Sequence, residues 1–141
     1  MKNFYFAGAI RGGRAKVEEY AKIVRKLQEY GNVLTTHVAS ADLDNNGEKN
    51  LTKKEIYDRD MKWLNESDLV VAEVSIPSLG VGYELAAAEK LGKKVICFFC
   101  KDSDKTLSAM IEGDEYFTVV YYNNIDEVLT YLEDYLSSNN V

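Results

Sequence analysis

The segment over residues 69–91, LVVAEVSIPSLGVGYELAAAEKL, decides the fold of this 141-residue chain. Its first six residues form an apolar run that predicts a strand, and residues 81–91 have the apolar spacing of a helix. The turn between them is rich in small residues, so a ligand can approach its backbone closely. A strand, such a turn and a helix N-terminus together predict an anion-binding site.

The same alternation of strand and helix patterns runs along the whole chain. We predict strands at 3–8, 32–38, 69–74, 94–100 and 117–122, and helices at 14–30, 51–66, 81–91, 106–112 and 125–137. This order predicts one α/β domain over residues 1–141 with three layers, in which helices cover both faces of a five-stranded parallel sheet. Right-handed crossovers favour the flavodoxin-like or Rossmann-like strand order 2-1-3-4-5.

Two glycine-containing turns follow the first and third strands, at residues 8–14 (GAIRGGR) and 78–82 (SLGVG). In this strand order a ligand crevice lies at the carboxyl ends of those strands, so we expect the turns to face each other. The first turn matches neither the G-x-G-x-x-G fingerprint nor a Walker A loop. It is either an ordinary βα turn or, through Arg11 and Arg14, a contact for phosphate or sugar.

Two carboxylates are candidates for chemistry at this crevice. Glu84 is expected in the first turn of its helix, where the helix dipole favours the ionised form. Asp60 falls on the apolar side of the second helix and, if it reaches the crevice, could hold a proton for a leaving base. Its neighbours Asp58, Arg59 and Lys62 are expected on a solvated helix face.

Three further side chains keep a structural interpretation beside a functional one. Tyr5 either packs in the core or lines the crevice as a phenol. His37, the single histidine, closes the second predicted strand, where it lines the crevice or only caps the strand end. Ser108 is an ordinary polar residue of a short helix.

Composition excludes several classes of protein. A formal net charge of −6 and a pI of about 4.9 argue against a nucleic-acid-binding face. No apolar run approaches the ~20 residues of a membrane span, and the N-terminus enters a strand pattern at once, so we expect a cytoplasmic protein. Cys97 and Cys100 would point to opposite faces of one strand, which favours structural thiols over a redox or zinc site.

The chain resembles the 2′-deoxynucleoside 5′-phosphate N-hydrolases, within the nucleoside 2-deoxyribosyltransferase-like group. The matching stretches are YFAGAIRGGR (5–14), VLTTHVA (33–39), DMKWL (60–64), VVAEV (70–74), PSLGVGYEL (77–85) and LSAMI (107–111). The resemblance implies hydrolysis of the N-glycosidic bond of a 2′-deoxynucleoside 5′-monophosphate, a small-molecule partner, through a glycosyl-enzyme intermediate. It implies no metal and no cofactor.

The resemblance also implies roles for individual residues. Glu84 matches the nucleophile, Asp60 the carboxylate that assists sugar and base, and Tyr5 a tyrosine beside the nucleophile. Ser78 matches a phosphate-binding serine, and Ser108 one that reaches the neighbouring subunit's site, which implies a homodimer. The other substrate-binding positions that it implies are His37, Gly8, Ile10, Arg11, Gly12, Gly13 and Gly80. Ala9 departs from the family's serine, which removes one hydroxyl contact.

Three alternatives remain open from the sequence. The first is a nucleoside 2-deoxyribosyltransferase, which passes deoxyribose from one base to another. The second is a hydrolase of CMP-like ribonucleotides. The third is a nucleotide-binding module without catalysis, in which Glu84 and Asp60 would have no chemical role.

Overall fold

A five-stranded sheet forms the centre of the molecule. The computed structural model describes residues 1–10, 16–39, 48 and 50–138. The strands are β1 (Lys2–Gly8), β2 (Gly31–Val33), β3 (Leu69–Glu73), β4 (Lys94–Cys100) and β5 (Thr118–Tyr122). Each strand pairs with its neighbours in parallel, in the order β2-β1-β3-β4-β5. The predicted strand order and the α/β class are confirmed.

Helices cover both faces of the sheet, which completes the three predicted layers. They are α1 (Val17–Gln28), α2 (Lys53–Glu66), α3 (Leu79–Lys90), α4 (Ala109–Glu112) and α5 (Ile125–Ser137). Buried side chains of α1 and α5 pack with one face of the sheet, and those of α2 and α3 pack with the other. Among the described residues, no helix has both the length and the apolar character needed to cross a membrane.

Alternation along β1 assigns each side chain to one of these two layers. Phe4 and Phe6 face the α1/α5 layer, whereas Tyr5 and Ala7 face the α2/α3 layer. The same rule separates the two cysteines of β4, because Cys97 packs with the α2/α3 layer and Cys100 with the other. Both thiols are buried and unbridged, and burial raises the pKa of Cys97 to about 12. The prediction of two structural thiols on opposite faces is confirmed.

The second strand is much shorter than predicted. Pairing with β1 ends at Val33, and residues Thr36–Ala39 form a single 3₁₀ turn instead. The buried Thr35 hydroxyl accepts a hydrogen bond from the Phe6 N–H and donates one to the Phe6 carbonyl, both at 2.8 Å. A side chain thus replaces the backbone ladder. The prediction that His37 closes this strand was therefore wrong.

The third helix begins two residues earlier than predicted, because Ser78 caps it. The Ser78 hydroxyl accepts a hydrogen bond from the Val81 N–H at 3.3 Å, which satisfies one of the free donors of the first turn. Ser108 caps α4 in the same way, through the Met110 N–H at 3.2 Å. Both serines thus have a structural role as helix caps.

Candidate active site

A cavity of about 280 Å³ opens at the carboxyl ends of β1 and β3, between α2 and α3. The first turn contributes Gly8 and Ile10, and the second turn contributes Ser78. The two turns therefore share one crevice, as the strand order led us to expect. The other lining residues are Glu48, Lys53, Ile56, Asp60, Val81 and Glu84. The candidate binding residues Arg11, Gly12 and Gly13, together with Arg14, lie outside the described residues.

Glu84, which lines the cavity, is hydrogen-bonded to the buried side chain of Tyr5. The Tyr5 hydroxyl, near the end of β1, donates a hydrogen bond to the Glu84 carboxylate. Tyr5 is buried, and burial together with the nearby Glu84 charge raises the pKa of its hydroxyl. The phenol consequently stays protonated and remains a hydrogen-bond donor to the carboxylate. The core interpretation of Tyr5 holds, because its side chain is buried and is not among the residues that line the cavity, whereas its hydroxyl contacts Glu84, which does line it.

The electrostatics of Glu84 differ from the sequence prediction. Because α3 begins at Leu79, Glu84 lies in the second helical turn, beyond the strongest part of the helix dipole. The pKa of Glu84 is raised to about 7. Burial is the main cause, the Tyr5 hydrogen bond opposes it, and the charge of Asp60 adds to it. The expectation that Glu84 lies in the first turn of its helix was therefore wrong, and the effect of burial on its pKa outweighs that of the helix dipole. At neutral pH both protonation states of Glu84 are well populated.

Asp60 reaches the same cavity from α2. Its carboxylate accepts a hydrogen bond from the Arg59 Nε at 3.0 Å and lies 2.9 Å from Nη2 of the same guanidinium. Burial raises the pKa of Asp60 above its ordinary value, although the contact with Arg59 opposes this. A carboxyl group in this environment holds a proton more readily than an exposed aspartate does.

Arg59 contradicts the prediction that it lies on a solvated helix face. Its two terminal nitrogens each donate a hydrogen bond of 2.7 Å to the Glu48 carboxylate, and its guanidinium lies 4.7 Å from the Trp63 ring centroid. The pKa of Glu48 is lowered, chiefly by this hydrogen bonding with Arg59. Arg59 therefore connects two carboxylates of the cavity lining, Glu48 and Asp60. Neither Arg59 nor Glu48 was predicted from the sequence as a residue of this site.

His37 lies behind this cluster, outside the set of residues that line the cavity. Its Nε2 atom is 3.3 Å from Nη2 of Arg59 and 3.7 Å from the Glu48 carboxylate. The imidazole ring is 5.8 Å from the Trp63 ring centroid. The structure thus brings His37 to the charged pair at the cavity wall.

Ser78 lines the cavity, and Gly80 lies close to both Ser78 and Glu84. A methyl group added at Gly80 would lie 3.8 Å from the Ser78 hydroxyl and 4.0 Å from the Glu84 carboxylate. The absent side chain therefore leaves space between the hydroxyl and the carboxylate. This space connects the N-terminus of α3, where an anion is favoured, to the candidate nucleophile.

Ser108 lies in a second cavity of about 550 Å³, which is mostly apolar and borders the first one at Ser78. Within a single chain, Ser108 lies beside α3 and is not among the described residues that line the cavity of Glu84. Among the described residues there is also no group of three or more His, Cys, Asp or Glu side chains arranged to hold a metal ion.

The fold and this cavity can be compared with known proteins. The model of the nucleoside 2-deoxyribosyltransferase family matches residues 4–127, and the chain belongs to that family. The match extends from β1 into the start of α5, so it includes every cavity residue described above.

Individual relatives carry more specific names. The 5-hydroxymethyl-dUMP N-hydrolase of Danio rerio is 50% identical over 139 residues, which cover 96% of each chain. The human protein of the same name is 48% identical over 110 residues, 77% of this chain and 63% of that one. A solved structure of a Clostridium botulinum CMP N-glycosidase has a TM-score of 0.70, with 20% identity and coverage of 95% and 99%. That last likeness shows the shared fold.

Proposed function

We propose that this chain hydrolyses the N-glycosidic bond of a 2′-deoxynucleoside 5′-monophosphate, giving free base and 2-deoxyribose 5-phosphate. The single observation that carries the proposal is the half-buried Glu84 carboxylate, held by the Tyr5 hydroxyl in the cavity that Asp60 also lines. The related proteins named nucleotide N-hydrolases support the same reaction class.

Glu84 is the proposed nucleophile. Its ionised carboxylate attacks C1′ of the deoxyribose through an oxocarbenium-like transition state, the C1′–N bond breaks, and a glycosyl ester forms. The Tyr5 hydrogen bond orients the carboxylate and stabilises its charge. Water then attacks C1′, the ester C1′–O bond breaks, and the proton of the water passes to the Asp60 carboxylate, which is ionised after it has protonated the base. This releases 2-deoxyribose 5-phosphate and restores both Glu84 and Asp60. A substrate without a 2′-hydroxyl forms the oxocarbenium ion more easily, which favours deoxynucleotides.

Asp60 is the proposed proton donor to the leaving base. The electron pair of the broken bond passes to the base nitrogen, and a proton from Asp60, directly or through one water, neutralises it. Burial raises the pKa of Asp60 and so favours the protonated form that this role needs, whereas Arg59 fixes one carboxylate oxygen in place. In this proposal the two carboxyl groups of one cavity have different roles, Glu84 as the nucleophile and Asp60 as the acid.

Ser78 and the N-terminus of α3 form the proposed phosphate subsite. The Ser78 hydroxyl accepts from the Val81 N–H, so its own hydrogen can donate to a phosphate oxygen. The helix N-terminus favours negative charge at this position. Binding of the phosphate, which does not react, would hold C1′ against Glu84 across the open space at Gly80.

We also propose that the active form is a homodimer in which Ser108 of one subunit reaches the phosphate of the other. The second cavity, which contains Ser78 and Ser108, is bordered by strongly exposed apolar side chains. Leu79 is 97% exposed and Met110 81% exposed in the single chain. A second copy would cover this apolar surface while bringing a serine toward the phosphate subsite.

The test is to incubate the protein with deoxynucleoside monophosphates, ribonucleoside monophosphates and deoxynucleosides, and to follow free base by chromatography. We expect base and 2-deoxyribose 5-phosphate from deoxynucleotides, with 5-hydroxymethyl-dUMP included in the panel. A Glu84→Gln variant should bind the nucleotide without releasing base. Base exchange without hydrolysis would instead identify a transferase, release from CMP a ribonucleotide hydrolase, and binding without release a non-catalytic module.

A further inference from the structure

A second carboxylate is buried more deeply than Glu84 and takes no part in the chemistry described above. Glu73, the last residue of β3, has no exposed surface. Alternation along β3 turns it to the α1/α5 layer, on the sheet face opposite to Tyr5, because Val71 packs in that layer and Ala72 in the other. It therefore lies across the sheet from the catalytic cavity. A buried carboxylate is costly unless hydrogen bonds compensate it, so its presence asks for an explanation.

Three hydrogen-bond donors converge on the two oxygens of Glu73. The backbone N–H of Ser75 donates to Oε1 at 2.8 Å, the Ser75 hydroxyl donates to Oε2 at 2.8 Å, and the Tyr122 hydroxyl donates to Oε2 as well. All three are donors, so only a group with two accepting oxygens satisfies them. A glutamine in this place would turn its NH₂ group against at least one donor.

Ser75 also connects Glu73 to the neighbouring strand β4. Its hydroxyl accepts a hydrogen bond of 2.8 Å from the Cys100 N–H at the end of β4, while it donates to Glu73. Ser75 is only 2% exposed. Ser75, the second residue of the loop between β3 and α3, is thereby fixed to both β3 and β4.

The loop from Ser75 to the cap of α3 is short and stiff. Only Ile76 and Pro77 separate Ser75 from Ser78, and proline restricts its own backbone and that of the residue before it. A displacement of Ser75 would therefore be transmitted to the Ser78 hydroxyl and to the N-terminus of α3. Glu73 therefore affects the position of the proposed phosphate subsite through this loop and does not itself contact the substrate.

We propose that Glu73 is a positioning residue for the phosphate subsite, which it holds in place through Ser75 and the three-residue step to Ser78. This inference rests on the proposed function for the identity of the subsite. It assigns Glu73 to recognition of the 5′-phosphate, whereas Tyr5 and Asp60 act at the sugar and the base. Loss of Glu73 should therefore weaken binding of a nucleotide more than binding of the matching nucleoside.

The experiment measures dissociation constants for dUMP and deoxyuridine by calorimetry, in a Glu84→Gln background so that no substrate is consumed. Adding Glu73→Gln is expected to raise the Kd of dUMP about tenfold and that of deoxyuridine less than about twofold, since a buried donor loses its acceptor. Ser75→Ala retains the Glu73 carboxylate. It should also raise the Kd of dUMP more than that of deoxyuridine, but by a smaller factor than Glu73→Gln does. Tyr122→Phe is the matched control, because it removes a donor to Glu73 from β5 and leaves both Ser75 contacts intact.

Each result decides the inference. Equal weakening of dUMP and deoxyuridine in Glu73→Gln, or no change in either, would overturn it. If Glu73→Gln does not fold, as thermal unfolding would show, Ser75→Ala gives the decision by the same comparison. If the Glu84→Gln protein binds dUMP no more tightly than deoxyuridine, no phosphate subsite exists and the inference fails. The proposed function is tested separately, by base release from the wild-type protein.

Discussion

Replacing Tyr5 by phenylalanine should shift the pH dependence of catalysis rather than abolish it. The Tyr5 hydroxyl donates to the Glu84 carboxylate, and this contact lowers a pKa that burial has raised to about 7. A hydrogen bond to a charged group contributes about 1.5–3 kcal/mol, equivalent to about one to two pKa units. Without it, the pKa of Glu84 should rise to between about 8 and 9, and the ionised fraction at pH 7 should fall from about one half to between about a tenth and a hundredth.

The assay is the initial rate of base release from a deoxynucleotide between pH 5 and pH 10, analysed as kcat/KM. We expect Tyr5→Phe to lose about 5- to 50-fold relative to the wild type at pH 7 and to approach the wild-type value measured at the same pH above about pH 9, because loss of the Asp60 proton affects both proteins alike. The second ionisation of the substrate phosphate, near pH 6, affects both proteins alike. Tyr83→Phe is the control, because its hydroxyl contacts Tyr57 and not Glu84. An unchanged midpoint, with the same loss at every pH, would refute the reasoning.

Three further predictions concern the glycines of α3, the first turn and the Glu84 carboxylate. Gly80→Ala should raise helix stability by up to about 1 kcal/mol and should also raise the KM for nucleotide. Gly82→Ala should raise stability by a similar amount and leave KM unchanged, because no described atom beyond the backbone of its own helix lies within 4 Å of the added methyl. Gly8→Ala places a methyl 2.8 Å from the buried Tyr20 ring and should lower the free energy of unfolding by about 1–3 kcal/mol, measured by urea denaturation. Since the pKa of Glu84 in the fold, about 7, exceeds its ordinary value of 4.5, its stabilising contribution is complete below about pH 4.5 and is lost as the pH rises through 7. Glu84→Gln should therefore gain up to about 3 kcal/mol over the wild type at pH 8 and little at pH 4, and an equal change at both pH values would contradict this.

Strand order and layers could be predicted because they depend on patterns that are local in sequence. Apolar runs separated by helical spacing define an alternating α/β chain, and right-handed crossovers leave few possible orders. The second strand could not be bounded in this way. Residues 34–38 look like a continuation of the strand, but the Thr35 hydroxyl satisfies the Phe6 backbone in place of a ladder. Whether a side chain can replace the ladder hydrogen bonds in this way depends on which strand lies beside it, and the local sequence does not show that.

The sequence could suggest a site residue where a local pattern or the family resemblance points to it, but not where its place depends on a pairing between distant segments. Glu84, Asp60 and Tyr5 follow from their positions and from the family resemblance. The pairing of Arg59 with Glu48 joins a helix to a separate segment, which no local pattern reveals. One signal was available, since Arg59 and Trp63 have the i, i+4 spacing at which a guanidinium can lie over an aromatic ring.

Glu73 had a clearer signal, because it is the single charged residue in the apolar run at residues 69–74. A carboxylate in a strand that must be buried on both faces costs free energy unless its surroundings supply donors. The structure supplies three, and two of them belong to Ser75, at the start of the loop that leads to the proposed phosphate subsite. Glu84 differs, since among the described residues it has one donor, Tyr5, and its pKa is raised. A carboxylate with satisfied oxygens fixes the backbone, whereas one left partly unsatisfied remains available to attack a carbon atom.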